Sequence, residues 1–221
     1  MLLYYITDRT AFPGGCSRQR ESLLRRIAEA AQAGIDYIQL REKDLLPREL
    51  EELARDARRA VRDNSPAAKL LINGRADIAL AVGADGVHLP GGDLPASEVR
   101  SLWRASCAGE PVIGVSAHSL ADVRCAADQG ADFAVLAPIF EKVQTGGAGI
   151  GLEVLHAVCI GVPLSGDAGA APPLRFNVLA LGGVTLFNAA ACMDAGAGGI
   201  AGIRIFQQGD IRETVRRLRM L

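Results

Sequence analysis

Gln39, Arg41 and Lys43 occupy alternate positions at and just beyond the end of an apolar run, Tyr37–Leu40. In extended chain successive side chains point to opposite faces, so these three share one. Two cations and an amide on one face form a clamp for an anion. The competing reading pairs Arg41 and Lys43 with Glu42 and Asp44 on the rim. Three polar groups converging at one strand end favour the clamp.

Gly182-Gly183 and Gly202 lie just after two later apolar runs. Bare backbone N–H groups near helix N-termini bind phosphate readily, whereas any single glycine pair can equally be turn chemistry. The second glycine site in the next loop favours phosphate. Asp93 can hold Mg²⁺ against a substrate diphosphate, because that ion takes only one or two carboxylates plus phosphate oxygens and water. A helix cap near Pro95 is the equally weighted alternative for Asp93. His118 can move protons near neutral pH. Capping of the next helix falls to Ser116 or Ser119 instead. His88 is as much a structural as a catalytic candidate, and His156 lies within a helical stretch.

These residues need a scaffold that gathers strand ends. Eight short apolar runs read as strands: Leu2–Ile6, Tyr37–Leu40, Lys69–Ile72, Gly86–Leu89, Val112–Val115, Phe133–Ala137, Val178–Leu181 and Gly198–Ala201. Helical periodicity lies between and after them, at Glu21–Ala33, Pro47–Arg62, Arg75–Val82, Pro95–Trp103, Leu120–Gln129, Leu152–Val158, Leu186–Ala195 and Ile211–Leu221. Glycines 34, 83, 130 and 196 end four of these helices three residues or so before the next strand. Eight such units predict an α/β fold of one domain over residues 1–221, a (β/α)₈ TIM barrel. No GxGxxG follows the first strand, which argues against a dinucleotide fold. In a barrel the catalytic groups come from the C-terminal strand ends, which also nominates Asn73, Ser116, Arg204 and Lys142. The Pro163–Asn177 stretch, a helix-to-strand connection, is expected on the opposite face. The glycine-rich Glu141–Ile150 loop is expected to be mobile and to cover the mouth.

The 221 residues carry 24 Lys and Arg against 25 Asp and Glu, without the basic excess that nucleic-acid binding needs. Phosphate must then be met locally. The five cysteines are scattered without zinc or disulfide spacing, and no signal peptide or membrane-length apolar run is present. The expectation is a cytoplasmic enzyme with reduced thiols. The sequence leaves a homodimer open.

Taken together, Tyr4–Asp8 (YYITD), Tyr37–Lys43 (YIQLREK), Leu71–Asn73 with Asp77–Leu80, Gly83–Leu89 (GADGVHL), Gly114–Ser119 (GVSAHS), Ala137–Phe140 (APIF) and Ala180–Thr185 (ALGGVT) resemble the thiamine phosphate synthase and thiazole tautomerase superfamily over nearly the whole chain. The resemblance implies a barrel acting in thiamine biosynthesis on small phosphorylated substrates. In the synthase, a pyrimidine diphosphate loses diphosphate and the thiazole phosphate nitrogen captures the resulting cation. By that resemblance Gln39, Arg41, Lys43 and Asn73 hold the diphosphate, Asp93 binds Mg²⁺ and Ser116 contacts the pyrimidine. Gly183, Ile203 and Arg204 give backbone donors to the thiazole phosphate. Two features depart from the synthase pattern. Gly74 stands where a second carboxylate is usual, with Lys142 or Arg75 as sources of replacement charge, and Glu141–Thr145 lacks the usual Thr and Lys. Those features resemble the tautomerase branch, which needs no metal and moves its proton with a histidine at His118. A non-catalytic binder of thiazole phosphate or thiamine phosphate is the third alternative.

Overall fold

The computed structural model describes residues 1–106, 108–141, 148–161 and 176–221. Eight parallel strands close into one barrel in chain order, each hydrogen-bonded to the next and β8 returning to β1. They are β1 Leu2–Ile6, β2 Tyr37–Leu40, β3 Lys69–Asn73, β4 Gly86–Leu89, β5 Val112–Ala117, β6 Phe133–Leu136, β7 Asn177–Ala180 and β8 Gly199–Gly202. The helices are α1 Cys16–Ala33, α2 Pro47–Asn64, α3 Ala76–Val82, α4 Ala96–Ala105, α5 Leu120–Asp128, α6 Gly151–Ile160, α7 Ala189–Asp194, α8 Arg204–Gln207 and α9 Ile211–Leu218. A 3₁₀ turn, Arg9–Ala11, follows β1.

Local chemistry explains the joints. Helix α2 begins with Pro47, Glu49 reaches back to accept the Leu46 N–H just before it, and Leu50, Leu53, Ala54, Ala57 and Val61 form its buried stripe. Helices α1 and α3 stop at Gly34 and Gly83, whose left-handed φ of 91° and 65° lets the chain turn straight into the next strand.

Alternation along the strands divides the core in two. Leu3 and Tyr5 face the helices, as do Ile38, Leu40, Leu70, Ile72, Val87 and Ile113. The barrel interior holds Tyr4, Ile6, Leu71, Val112, Phe133, Val135, Leu179 and Ala201, packed against Tyr37, Leu181 and Ile203. Tyr4 meets Phe133 edge-on at 5.2 Å between ring centroids, and Tyr37 stacks on the same ring at 5.4 Å. Each such pair adds about 0.5–1.5 kcal/mol beyond the burial of area. These rings plug the barrel, so ligands can enter only at its rim.

Helix boundaries differ from the sequence expectation by up to five residues, with α7 starting three residues late at Ala189. Helix α1 begins five residues early, at Cys16, because its first turn is polar and shows no apolar period. The short α8 interposes between β8 and α9, and α9 ends at Leu218. The strands shift by at most two residues at an end. Cys107 and most of the Pro163–Asn177 stretch lie outside the described residues. The other four cysteines are free thiols, and among the described residues no helix is long and apolar enough to cross a membrane.

Candidate active site

The exit of β2 is where the charges are sorted. Thr7 and Arg9, in the turn after β1, take the two acidic residues of the strand-two sequence. Thr7 Oγ1 donates to Glu42 Oε1 at 2.6 Å, and the Arg9 N–H donates to the same carboxylate at 3.0 Å. The Arg9 guanidinium forks onto Asp44 at 2.6 and 2.7 Å. Such two-point pairs hold both planes in register. Glu42 is buried, and burial raises its carboxyl above the usual value against the pull of Thr7, the Arg9 N–H and the Arg9 charge. Thr7 also accepts the Arg41 N–H at 3.0 Å, which fixes the strand exit. The rim pairing weighed for Arg41 and Lys43 is therefore not made. Among the described residues neither cation has a carboxylate partner.

Inward-facing polar residues line the top of the barrel. Gln39, almost fully buried, donates from Nε2 to the Tyr4 hydroxyl at 2.9 Å. Asn73 pairs in register with His88 on β4. His88 lies 2.8 Å through Nε2 from Ser116 Oγ, and its Nδ1 is buried without a partner among the described residues. Burial, with the nearby Arg41 charge, pushes the His88 pKa down to about 3, so its ring is neutral at physiological pH. The sequence left His88 open, and the structure puts it inside the barrel beside Tyr4 and Phe133.

Asp93, Ser116 and His118 share a cleft of about 500 Å³ with Leu89, Pro90 and Asp122. Asp93 is exposed and takes the Leu94 N–H on Oδ1 at 2.8 Å; the cap position of α4 is Pro95 rather than Asp93. Its Oδ2 lies against Gly74, where an added Cβ would sit 3.5 Å away. A side chain at position 74 would thus begin beside this carboxylate, and glycine leaves Asp93 without that neighbour. Among the described residues no group of three His, Cys, Asp or Glu is arranged around a metal position. What remains fits a Mg²⁺ that takes one protein carboxylate and most of its ligands from phosphate and water. Arg75, considered as a replacement cation, is instead occupied by Asp77 through two bonds of 2.6 and 2.8 Å. Helix α3 starts at the next residue, so this pair closes over its own first turn.

His118 follows β5. Ser119 caps α5 by accepting the Asp122 N–H, and Asp122 in return accepts the His118 N–H at 2.8 Å. The cap leaves the His118 ring to other work. Its Nδ1 lies 2.7 Å from the Ala137 carbonyl, an acceptor only, so Nδ1 carries the proton. In the neutral ring Nε2 then holds a free lone pair.

Across the mouth, the loops after β6 and β7 are tied together. Ile139 and Phe140 N–H groups donate to the carbonyls of Leu181 and Gly182 at 2.8 and 3.0 Å. Gly182 and Gly183 have φ of 97° and 67°, and a Cβ on either would fall 2.7 Å from Pro138 or Phe140. Asn188 Nδ2 holds the Gly183 carbonyl at 3.0 Å. The backbone N–H groups of Gly182, Gly183, Ile203 and Arg204 find no acceptor among the described residues. Gly202 ends β8 directly beneath the latter pair. Lys142 lies outside the described residues, as does most of the glycine-rich loop. That loop's flanks meet, since Ile150 N–H donates to Pro138 O at 2.8 Å and Gly151 N–H to Ile139 O at 3.0 Å.

Residues 3–206 match the family model described as thiamine monophosphate synthase. A thiamine-phosphate synthase of Moorella thermoacetica is 36% identical over 97% of this chain and 93% of its own length. One from Methanoculleus marisnigri is 37% identical over 98% and 93%. Thiamine phosphate pyrophosphorylase of Pyrococcus furiosus superposes with a TM-score of 0.76 at 29% identity, covering 99% of this chain and 94% of that one. A 3-hexulose-6-phosphate synthase, 19% identical with a TM-score of 0.68, shares the fold alone. With a family model spanning most of its length and relatives this similar along both chains, the protein belongs to the thiamine monophosphate synthase family.

Proposed function

We propose that the protein is a thiamine phosphate synthase, a transferase joining hydroxymethylpyrimidine diphosphate to thiazole phosphate with release of diphosphate. The observation that carries this reading is the charge sorting after β2. Arg9 and Thr7 occupy Glu42 and Asp44, and Arg41 and Lys43 are left to meet an anion at the barrel mouth. The family and its named relatives support the same activity.

In this reading the reaction breaks the C–O bond between the pyrimidine methylene and its diphosphate. The electron pair leaves with the diphosphate, and Arg41 and Lys43, with Gln39 and Asn73, stabilise that charge where it develops. Ser116 binds the pyrimidine. The thiazole phosphate is held by the free N–H groups at Gly183, Ile203 and Arg204, between Gly182 and Gly202, which aims the thiazole nitrogen at the methylene carbon to form the new C–N bond. Asp93 would hold Mg²⁺, which when bound would neutralise part of the diphosphate charge. These substrates are small and soluble, consistent with one barrel domain working in the cytoplasm. Incubation with both substrates and Mg²⁺ should yield thiamine phosphate; no product above background would sink the reading.

One observation favours a second reading, thiazole tautomerase. The His118 Nδ1 bond to Ala137 O leaves Nε2 ready to take a proton. If the protein is a tautomerase, His118→Ala abolishes proton exchange on the carboxylated thiazole phosphate and preserves phosphate binding. In a synthase that variant loses no more than about tenfold in coupling rate, well short of the 10²–10⁴ expected for a true general base.

A further inference from the structure

We propose that His88 is a positioning residue that orients the Ser116 hydroxyl, turning its proton into the barrel mouth as a donor. The site would then select a heteroaromatic substrate presenting a ring-nitrogen acceptor and disfavour one presenting a donor there. The inference rests on the proposed role of Ser116 at the pyrimidine, and deepens it.

His88 Nε2 is 2.8 Å from Ser116 Oγ, and Nδ1 is fully buried with no partner among the described residues. Nδ1 faces Gly114, where an added Cβ would lie 3.0 Å from it and 2.4 Å from the Phe133 ring. No space remains there for a bridging water. A neutral imidazole carries one N–H, and a buried N–H without an acceptor is costlier than an unused lone pair. The proton therefore sits on Nε2 and is donated to Ser116. Burial and the Arg41 charge oppose a second proton.

Ser116 is thereby restricted. Its oxygen is occupied as acceptor on the His88 side, and no other protein acceptor for its O–H exists among the described residues. Ser116 is half-buried near the C-terminal end of β5. With His88 below it, the hydroxyl proton is left to point outward to the mouth. A hydroxyl free to rotate meets either polarity from a ligand equally; one held this way keeps a spare lone pair but has its proton turned to the ligand, so an acceptor there completes its bonding and a donor leaves that proton unpaired.

Nitrogen-15 NMR of the imidazole resonances in the unliganded protein tests the tautomer without reference to any activity. The expected spectrum has Nε2 protonated, Nδ1 bare and no titration of His88 between about pH 5 and 8. A proton on Nδ1, or titration inside that window, overturns the proposal even if the protein proves to be a synthase. Conversely, absence of synthase activity alongside the expected spectrum would count against the function and not against the tautomer. Kinetics test the consequence. His88→Gln keeps an amide N–H near the Nε2 position and should hold kcat/KM for the pyrimidine diphosphate within about threefold, whereas His88→Leu should lose about tenfold. The KM for thiazole phosphate should not move in either. Ser116→Ala should lose as much as His88→Leu, and the double variant should be no worse than Ser116→Ala alone. Equal losses for both substrates, or additive losses in the double variant, would reduce His88 to a packing residue and overturn the proposal.

Discussion

The Arg9 guanidinium grips Asp44 in a two-bond fork, 2.6 and 2.7 Å, across the gap between the first two strand ends. This pair, with the Arg9 N–H on Glu42, keeps the acidic half of the strand-two sequence away from its basic half. Arg9→Met should therefore act twice. It should cost about 1–3 kcal/mol in denaturant unfolding, since Glu42 stays buried with fewer donors. It should also weaken binding of inorganic diphosphate by calorimetry, because Asp44 loses its guanidinium partner and becomes free to pair with Arg41 or Lys43. Lost stability with unchanged diphosphate affinity would remove Arg9 from the account of the site.

Glu42 gives a pH signature. Its carboxyl ionises less readily in the folded protein than its ordinary value of 4.5, chiefly through burial. A native state that binds the proton more tightly loses relative stability as pH rises from the unfolded value through the raised folded one. Unfolding measured from about pH 4 upward should show the stability of wild type falling relative to Glu42→Gln across that interval, then running parallel above it. A difference that is flat with pH would contradict the burial argument.

Gly183→Ala tests the phosphate cradle. The new Cβ would lie 2.7 Å from Phe140 Cβ and 3.1 Å from the Glu141 carbonyl, at a φ of 67°. The left-handed backbone and the clash together should cost about 1–3 kcal/mol. The KM for thiazole phosphate should rise at least about tenfold with the pyrimidine diphosphate KM little changed, in line with lost backbone donors. An equal change in both would mean that the loops after β6 and β7 act as one frame for the whole mouth.

Asp93 stands without a second carboxylate at Gly74. Mg²⁺ should accordingly bind the free protein weakly and tighten only when diphosphate supplies oxygens. Calorimetric titration of Mg²⁺ with and without diphosphate reads this directly, and Asp93→Asn should erase the difference. Tight binding to the unliganded protein would point to ligands outside this cleft.

Much of this was legible before the fold was known, for a physical reason. Strand parity is local, so Gln39, Arg41 and Lys43 could be put on one face from spacing, Asn73 and Ser116 could be nominated from their strand ends, and the helix-ending glycines announced their own turns. Arg9 could not be read the same way. Its partners lie 33 and 35 residues away, and only the parallel pairing of β1 with β2 brings them together. His88 had the right parity, but its neutrality depends on Tyr4, Phe133 and Gly114 arriving from three other segments. The first turn of α1 and the four residues of α8 carry too little apolar periodicity to be seen as helix.

Arg41 and Lys43, freed by Arg9 and Thr7, are assigned to a departing diphosphate. Phosphorus NMR of a reaction mixture holding pyrimidine diphosphate, thiazole phosphate and Mg²⁺ tests that assignment most directly, run for wild type beside the Arg41→Met, Lys43→Met double variant. Wild type should release one free diphosphate for each thiamine phosphate formed, and the variant should run at least about a hundredfold slower, the scale for losing donors aimed at developing charge. Both substrates left unchanged by wild type, or equal rates from the two proteins, would contradict it.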